Sequence, residues 1–229
     1  MNAKTRPDDT DPPLLSPGYR STGLRAPKEA PVVLAAGALD VPYARVDPAF
    51  VKDGDNDLTV HGKSAPLGER MVLVGRIVDE DGRPVRRSLV EIWQANASGR
   101  YHHEGDQHDA PLDPNFHGRG RTFTDDEGRY RFMTVKPGSY PWPNHRNAWR
   151  PQHIHFSLLG NAPVQRLVTQ MYFPGDPLLA LDPIYLSIPE GARDRLVSRL
   201  DLDAGVENYA LGYQFDIVLR GSKATPLGL

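Results

Sequence analysis

No cysteine occurs anywhere in the chain. That excludes disulfides, thiolate nucleophiles and zinc sites of the Cys type, and leaves His, Tyr, Asp and Glu as the strong metal donors. No long apolar run occurs either, so no membrane span is expected. A basic block is equally lacking: 27 Lys and Arg stand against 29 Asp and Glu, a net charge of −2, and nothing is clustered to track a phosphate backbone. Nucleic acid is therefore not an expected partner. The opening MNAKTRPDDTDPPLL lacks the apolar centre of a secretory signal, which points to the cytoplasm. What is present is 229 residues, enough for one sizeable domain or one domain with an arm.

Residues 1–50 are rich in proline and charge, with isolated apolar pairs at Leu14–Leu15 and Val32–Val33 and no sustained period. They suggest an extended arm, placed at 1–65, ahead of a β-domain over 66–229. From Met71 short β-rich runs alternate with turn signals: MVLVGRIV, DEDGRP, SLVEIWQAN, RTFT, DDEG, RYRFMTV, KPGSY. In RYRFMTV, Tyr130 and Phe132 alternate with Arg129 and Arg131, the pattern of a strand with one buried face. Further strands are predicted at His153–Leu158, Gln165–Phe173 and Tyr213–Arg220. One helix is predicted, over Pro189–Leu200, with Leu196, Val197 and Leu200 on one side. Many short strands and little helix predict an all-β, antiparallel β-sandwich. The runs GRIVDEDGRPV and TDDEGRYRF resemble those of transthyretin-like (prealbumin-like) sandwiches, a fold that fixes no chemistry by itself.

The chemistry-bearing stretch is WRPQHIHF, residues 149–156. Alternate side chains on a strand share a face, so His153 and His155 can converge on one ion while Ile154 points the other way. Such a pair is also common as surface or hydrogen-bonded core histidines. Two neighbourhoods could supply further ligands. The loop Gly99–Gly118, long and without period, carries Tyr101, His102, His103, His108, Asp109 and His117. The segment Lys136–Asn144 carries Tyr140 and Trp142 among Gly and Pro. A tyrosine there serves either as a ligand or as a core-edge aromatic bonded to backbone.

Taken together, Tyr101 in WQANASGRYHH, Tyr140 in PGSYPW, and His153 and His155 in WRPQHIHF resemble the iron-binding set of the intradiol ring-cleaving dioxygenases. The likeness runs from about Tyr19 to Gly221 and includes LVEIWQANA, APLDPNF, DPI and QFDIVLRG. It implies a non-haem Fe(III) enzyme that cleaves protocatechuate with O2 between its two hydroxyl-bearing carbons. Two phenolates and two imidazoles suit a hard trivalent ion better than zinc or copper, and coordination favours the deprotonated phenol. The resemblance also places Tyr140 and His153 as axial ligands and Tyr101 and His155 as equatorial ones, with Tyr140 displaced by the substrate.

By the same resemblance Arg150 is a catalytic residue that stabilises negative charge on the ring. Gln170, Trp93, Trp142 and Ile184 line the substrate pocket, and Tyr19 lies near the substrate carboxylate. A homologous alpha-type chain is the implied partner in a hetero-oligomer, which the proline-rich arm suits. Pro143 stands where related beta-type chains often carry a basic residue, so recognition of the substrate carboxylate is expected to differ in detail. The alternatives are a catechol or hydroxyquinol 1,2-dioxygenase, whose helical N-terminal segment finds no counterpart here, and a non-catalytic transthyretin-like binding module.

Overall fold

The computed structural model describes residues 9–13, 15–18, 20–24 (the backbone alone at 23 and 24), 46–144, 146–159 and 166–228. Its strands are β1 (Arg70–Val78), β2 (Leu89–Trp93), β3 (Arg119–Phe123), β4 (Arg129–Val135), β5 (Tyr140–Trp142), β6 (Ala148–Arg150), β7 (His153–Leu159) and β8 (Arg166–Tyr172). Two one-turn helices follow, α1 (Pro183–Leu186) and α2 (Glu190–Arg193), then β9 (Arg199–Leu200), β10 (Leu211–Gln214) and β11 (Ile217–Val218).

Alternation decides which side chains face inward. In β4, Tyr130 and Phe132 are buried while Arg129 and Arg131 are exposed, and in β7 Ile154, Phe156 and Leu158 all lie in the core. The inner faces of two sheets meet there. A four-stranded sheet has the order β3-β2-β7-β8, antiparallel throughout. The opposing five-stranded sheet centres on β1, which pairs antiparallel with β4 and parallel with β10 and β11. The expected all-β sandwich is thus observed, with two parallel pairings that no local pattern announced. The DDEG turn carries the chain from one sheet to the other. Asp125 Oδ1 accepts from the Glu127 and Arg129 amides at 3.0 and 2.7 Å, an Asx-type turn.

The segment before β1 is not uniform. Leu58 is fully buried in the core and its amide donates to the Met133 carbonyl at 2.8 Å, so residues around it pack on β4.

The helix predicted over Pro189–Leu200 needs correction. Only Glu190–Arg193 is α-helical, Asp194–Leu196 is a single 3-10 turn, and Arg199–Leu200 is a strand paired with β10. The Ser198 amide donates to the Tyr172 carbonyl at 2.9 Å, and Leu196 fills a small cluster with Tyr172, Ile188 and Ala192. Backbone pairing offered by β8 and β10 outweighs a weak helical period in so short a window. No helix among the described residues is long and apolar enough to cross a membrane.

Candidate metal centre and active site

The outer face of the four-stranded sheet carries the site. Residues 153 and 155 of β7 point there because 154 and 156 point into the core. Register places His155 opposite Trp93 on β2 and Gln170 on β8, and His153 opposite Tyr172. Trp93 lies flat on the His155 imidazole, with centroids 4.8 Å apart and planes within 3°. His153 Nδ1 lies 2.7 Å from the Pro151 carbonyl oxygen. An acceptor at that distance requires the proton on Nδ1 and leaves the Nε2 lone pair free to face the site.

Two loops bring in the tyrosines. Tyr101 follows a turn in which Asn96 Oδ1 accepts from the amides of Ser98 and Arg100, both at 2.9 Å. The Tyr101 amide itself donates to Asp106 Oδ2 at 2.7 Å. Tyr140 opens the hairpin β5–β6, where it pairs with Arg150. The loops touch at Gly99, whose φ is +80° and whose place leaves no room for a Cβ, since one built there falls 2.1 Å from the Ser139 carbonyl oxygen. Gly99→Ala is therefore expected to lower the unfolding free energy of the metal-free protein by about 2 kcal/mol or more, as backbone strain and displacement combine. Urea unfolding would measure it, and an unchanged midpoint would contradict this account of the loop contact.

The four side chains converge. Tyr140 Oη is 3.3 Å and Tyr101 Oη 3.5 Å from His153 Nε2, and His155 Nε2 is 3.2 Å from Tyr101 Oη. Burial drives the electrostatics. It pushes the Tyr101 phenol well above its ordinary value, helped by Tyr140, and raises Tyr140 despite the opposing pull of Arg150. Burial, then Arg150, pushes His155 down to about 3 and holds His153 far below the usual imidazole range. Both imidazoles are therefore neutral with lone pairs available, and a cation placed beside the phenols would favour their anions. The separations suit donors sharing one ion at bonds of about 2 Å. Among the described residues no three His, Cys, Asp or Glu gather into a metal-holding group. The groups here that a bound cation could turn into anionic donors are the phenols of Tyr101 and Tyr140.

Arg150 sits beside these donors, 3% exposed. Its Nη2 donates to Gln170 Oε1 and, at 3.3 Å, to Tyr172 Oη. The guanidinium carbon lies 5.5 Å from the Trp142 ring centre. Nε stands 3.2 Å from Asp182 Oδ1 as an ion pair, yet without the alignment of a hydrogen bond. Burial opposes the charge, but the surrounding Tyr172, Asp182 and Tyr140 groups outweigh it and raise the Arg150 pKa.

The other expected residues are placed as follows. Gln170 is buried against Arg150, and Ile184 is buried in α1. Trp142 and Trp93 line different clefts. Trp142 borders one of about 500 Å³ with His108, Pro143 and Trp149, and Trp93 borders one of about 450 Å³ with Glu91, Arg119 and Arg121. Tyr19 lies outside the described residues. The loop histidines stay apart from the centre: His102 packs on His117, and His108 pairs with Asp106. Tyr172 and Asp182, both touching Arg150, were not singled out from the sequence. The signals were there: Tyr172 shares a strand face with Gln170, and Asp182 precedes Pro183 as a helix cap should.

Fold and site define a class of enzyme. A family model described as "Dioxygenase" matches residues 46–221, and the chain belongs to the intradiol ring-cleaving dioxygenases, oxidoreductases that use non-haem iron. A second model, "Protocatechuate 3,4-dioxygenase beta subunit N terminal", matches residues 5–36. The chain is 59% identical over 219 residues, 94% of its length and 93% of the relative's, to the protocatechuate 3,4-dioxygenase beta chain of Burkholderia cepacia. Similarity to hydroxyquinol 1,2-dioxygenase of a Rhizobium strain is 34% over 52% of this chain and 42% of that one. The solved catechol 1,2-dioxygenase of Acinetobacter sp. ADP1 superposes with a TM-score of 0.54 at 30% identity, covering 72% of this chain and 57% of that one.

Proposed function

We propose that this chain is the beta-type, metal-bearing subunit of an intradiol dioxygenase. It cleaves protocatechuate with O2 between the two hydroxyl-bearing carbons, giving 3-carboxy-cis,cis-muconate. The observation that carries the reading is the convergence of Tyr101, Tyr140, His153 and His155, two phenols and two neutral imidazoles, on one point at the sheet surface. These four would hold non-haem Fe(III), which supplies the positive charge that binds a catecholate and opens it to O2. The identity to a beta chain along nearly the whole sequence supports the same assignment.

The protein's own groups have distinct tasks. The Pro151 carbonyl fixes the His153 tautomer, and Trp93 holds the plane of the His155 ring. Tyr140, whose phenol pKa is raised by burial even against the pull of Arg150, is the group suited to take a proton from an arriving catechol. Arg150, held charged in a dry setting, places a fixed cation where negative charge builds on the ring. Gln170 sets the guanidinium plane from behind. Trp142, Ile184 and Tyr19 are assigned to the pocket, with Pro143 altering how the carboxylate is met. The working assembly includes a homologous alpha-type chain and acts in the cytoplasm.

The test is direct. Ferric loading should give a visible phenolate-to-iron band that shifts on anaerobic addition of protocatechuate, and the protein co-expressed with its alpha-type partner should take up O2. A colourless iron-loaded protein would sink the assignment. The second reading, a catechol or hydroxyquinol 1,2-dioxygenase, is favoured by the shared fold of the Acinetobacter enzyme. Comparison of turnover on protocatechuate, catechol and hydroxyquinol separates the two.

Trp93 gives a narrower prediction. Trp93→Leu removes the face against which His155 is held, and iron affinity should fall by roughly tenfold, in the range seen when the residues that orient a metal ligand are changed. Competition with a chelator measures it; unchanged affinity would return Trp93 to a packing role.

A further inference from the structure

We infer that Asp182 is a positioning residue for the reaction: its buried carboxylate anchors the Arg150 guanidinium and caps the helix bearing Ile184, so that arginine and pocket wall are set as one unit. This rests on the role proposed above for Arg150.

The geometry is that of one anion with several obligations. Asp182 is fully buried. Oδ1 lies 3.2 Å from Arg150 Nε and accepts from the Ile184 amide at 3.3 Å. Oδ2 lies 3.4 Å from both the Tyr185 amide and Tyr172 Oη. Arg150 Nε is itself buried and has no hydrogen-bond acceptor among the described residues, so this carboxylate is the charge that answers it. Tyr172 closes the ring of contacts, accepting from Arg150 Nη2 and donating to Gln170 Oε1 at 2.9 Å.

A helix cap alone does not require a negative charge, because Asn caps about as well as Asp. Nor does a cap need burial beneath an arginine. Without the charge, a guanidinium held out of water has no counter-ion on the Nε side, and the side chain is free to turn away from Tyr140. Asp182→Asn therefore separates the two tasks in large part: its amide oxygen can still accept from the Ile184 amide, the shorter of the two capping contacts, while the negative charge of the anchor is gone.

The experiment is a double-mutant cycle on the iron-loaded enzyme with its partner chain, using Asp182→Asn, Arg150→Ala and the pair. Asp182→Asn should lower kcat by about a hundredfold, the scale of a misplaced catalytic group, with KM little changed. In the Arg150→Ala background it should cost nothing more, since the group it positions is gone. Wild-type turnover in Asp182→Asn, or full additivity of the two losses, overturns the inference and leaves a helix cap. If Arg150→Ala itself turns over normally, it is the role of Arg150 that fails. Urea unfolding of the metal-free variants then still decides the anchor: coupled losses uphold it and additive ones overturn it.

Discussion

His155→Ala is expected to yield a folded chain that no longer holds iron tightly and has no measurable O2 uptake with protocatechuate. The fold should survive because the imidazole lies on the outer face of its sheet, stacked on Trp93, while the core residues Ile154 and Phe156 on either side are untouched. Iron should be lost because only one imidazole and two phenols remain, and alanine brings no donor. The loss also leaves Trp93 uncovered beside a hole, into which water can reach a ferric ion held by three groups. Metal content after dialysis against a mild chelator, with the visible band as a second readout, measures the effect. Retention of stoichiometric iron by His155→Ala would remove this residue from the ligand set, while the non-catalytic module reading expects the substitution to leave all behaviour intact.

Arg150→Lys carries the second large effect. Lysine keeps the charge but presents one compact ammonium on a flexible stem, whereas the guanidinium contacts Gln170 and Tyr172 through Nη2, Asp182 through Nε and Trp142 through its face. One nitrogen cannot satisfy all four at once. The cation then no longer stands at a fixed place beside Tyr140, and kcat should fall by roughly a hundred- to a thousandfold, the cost of losing one preorganised donor to developing charge. KM should change much less, because the interaction matters most once charge has built up on the ring. Steady-state O2 uptake separates these terms. A loss confined to KM would assign Arg150 to substrate binding instead.

The sequence made some of this legible and hid the rest for physical reasons. Arg129–Val135 writes the alternation of its buried and exposed faces into the chain, and His153–Leu158 alternates polar with apolar residues although both its faces are largely covered, which is why both could be read to within a residue or so. The four converging side chains were legible because each sits in a distinctive local motif. Pairing partners leave no such mark: nothing near Met71 tells that Leu211 will lie beside it in parallel. The false helix over Pro189–Leu200 failed for the same reason, since β10 and the Tyr172 carbonyl, both remote, decide its backbone. Asp182 and Tyr172 carry no such local mark because what distinguishes them is contact with Arg150, and that contact exists only once β8 and α1 are folded beside it.

The pairing of β1 has a consequence for the order of synthesis. Every strand of the site-bearing sheet, and each of Tyr101, Tyr140, His153 and His155, lies between Leu89 and Tyr172. A nascent chain that has emerged that far already contains all four side chains proposed to hold the metal. It does not yet contain Leu211–Gln214 or Ile217–Val218, the parallel neighbours that β1 needs. Until they emerge, Val90, Ile92, Ile154 and Phe156 have only part of an opposing sheet to cover them, and long-range parallel pairing is slow to form. The growing chain thus passes through an interval in which its chemistry is spelled out while its apolar interior stands open, the stage at which chaperones and early aggregation compete for it.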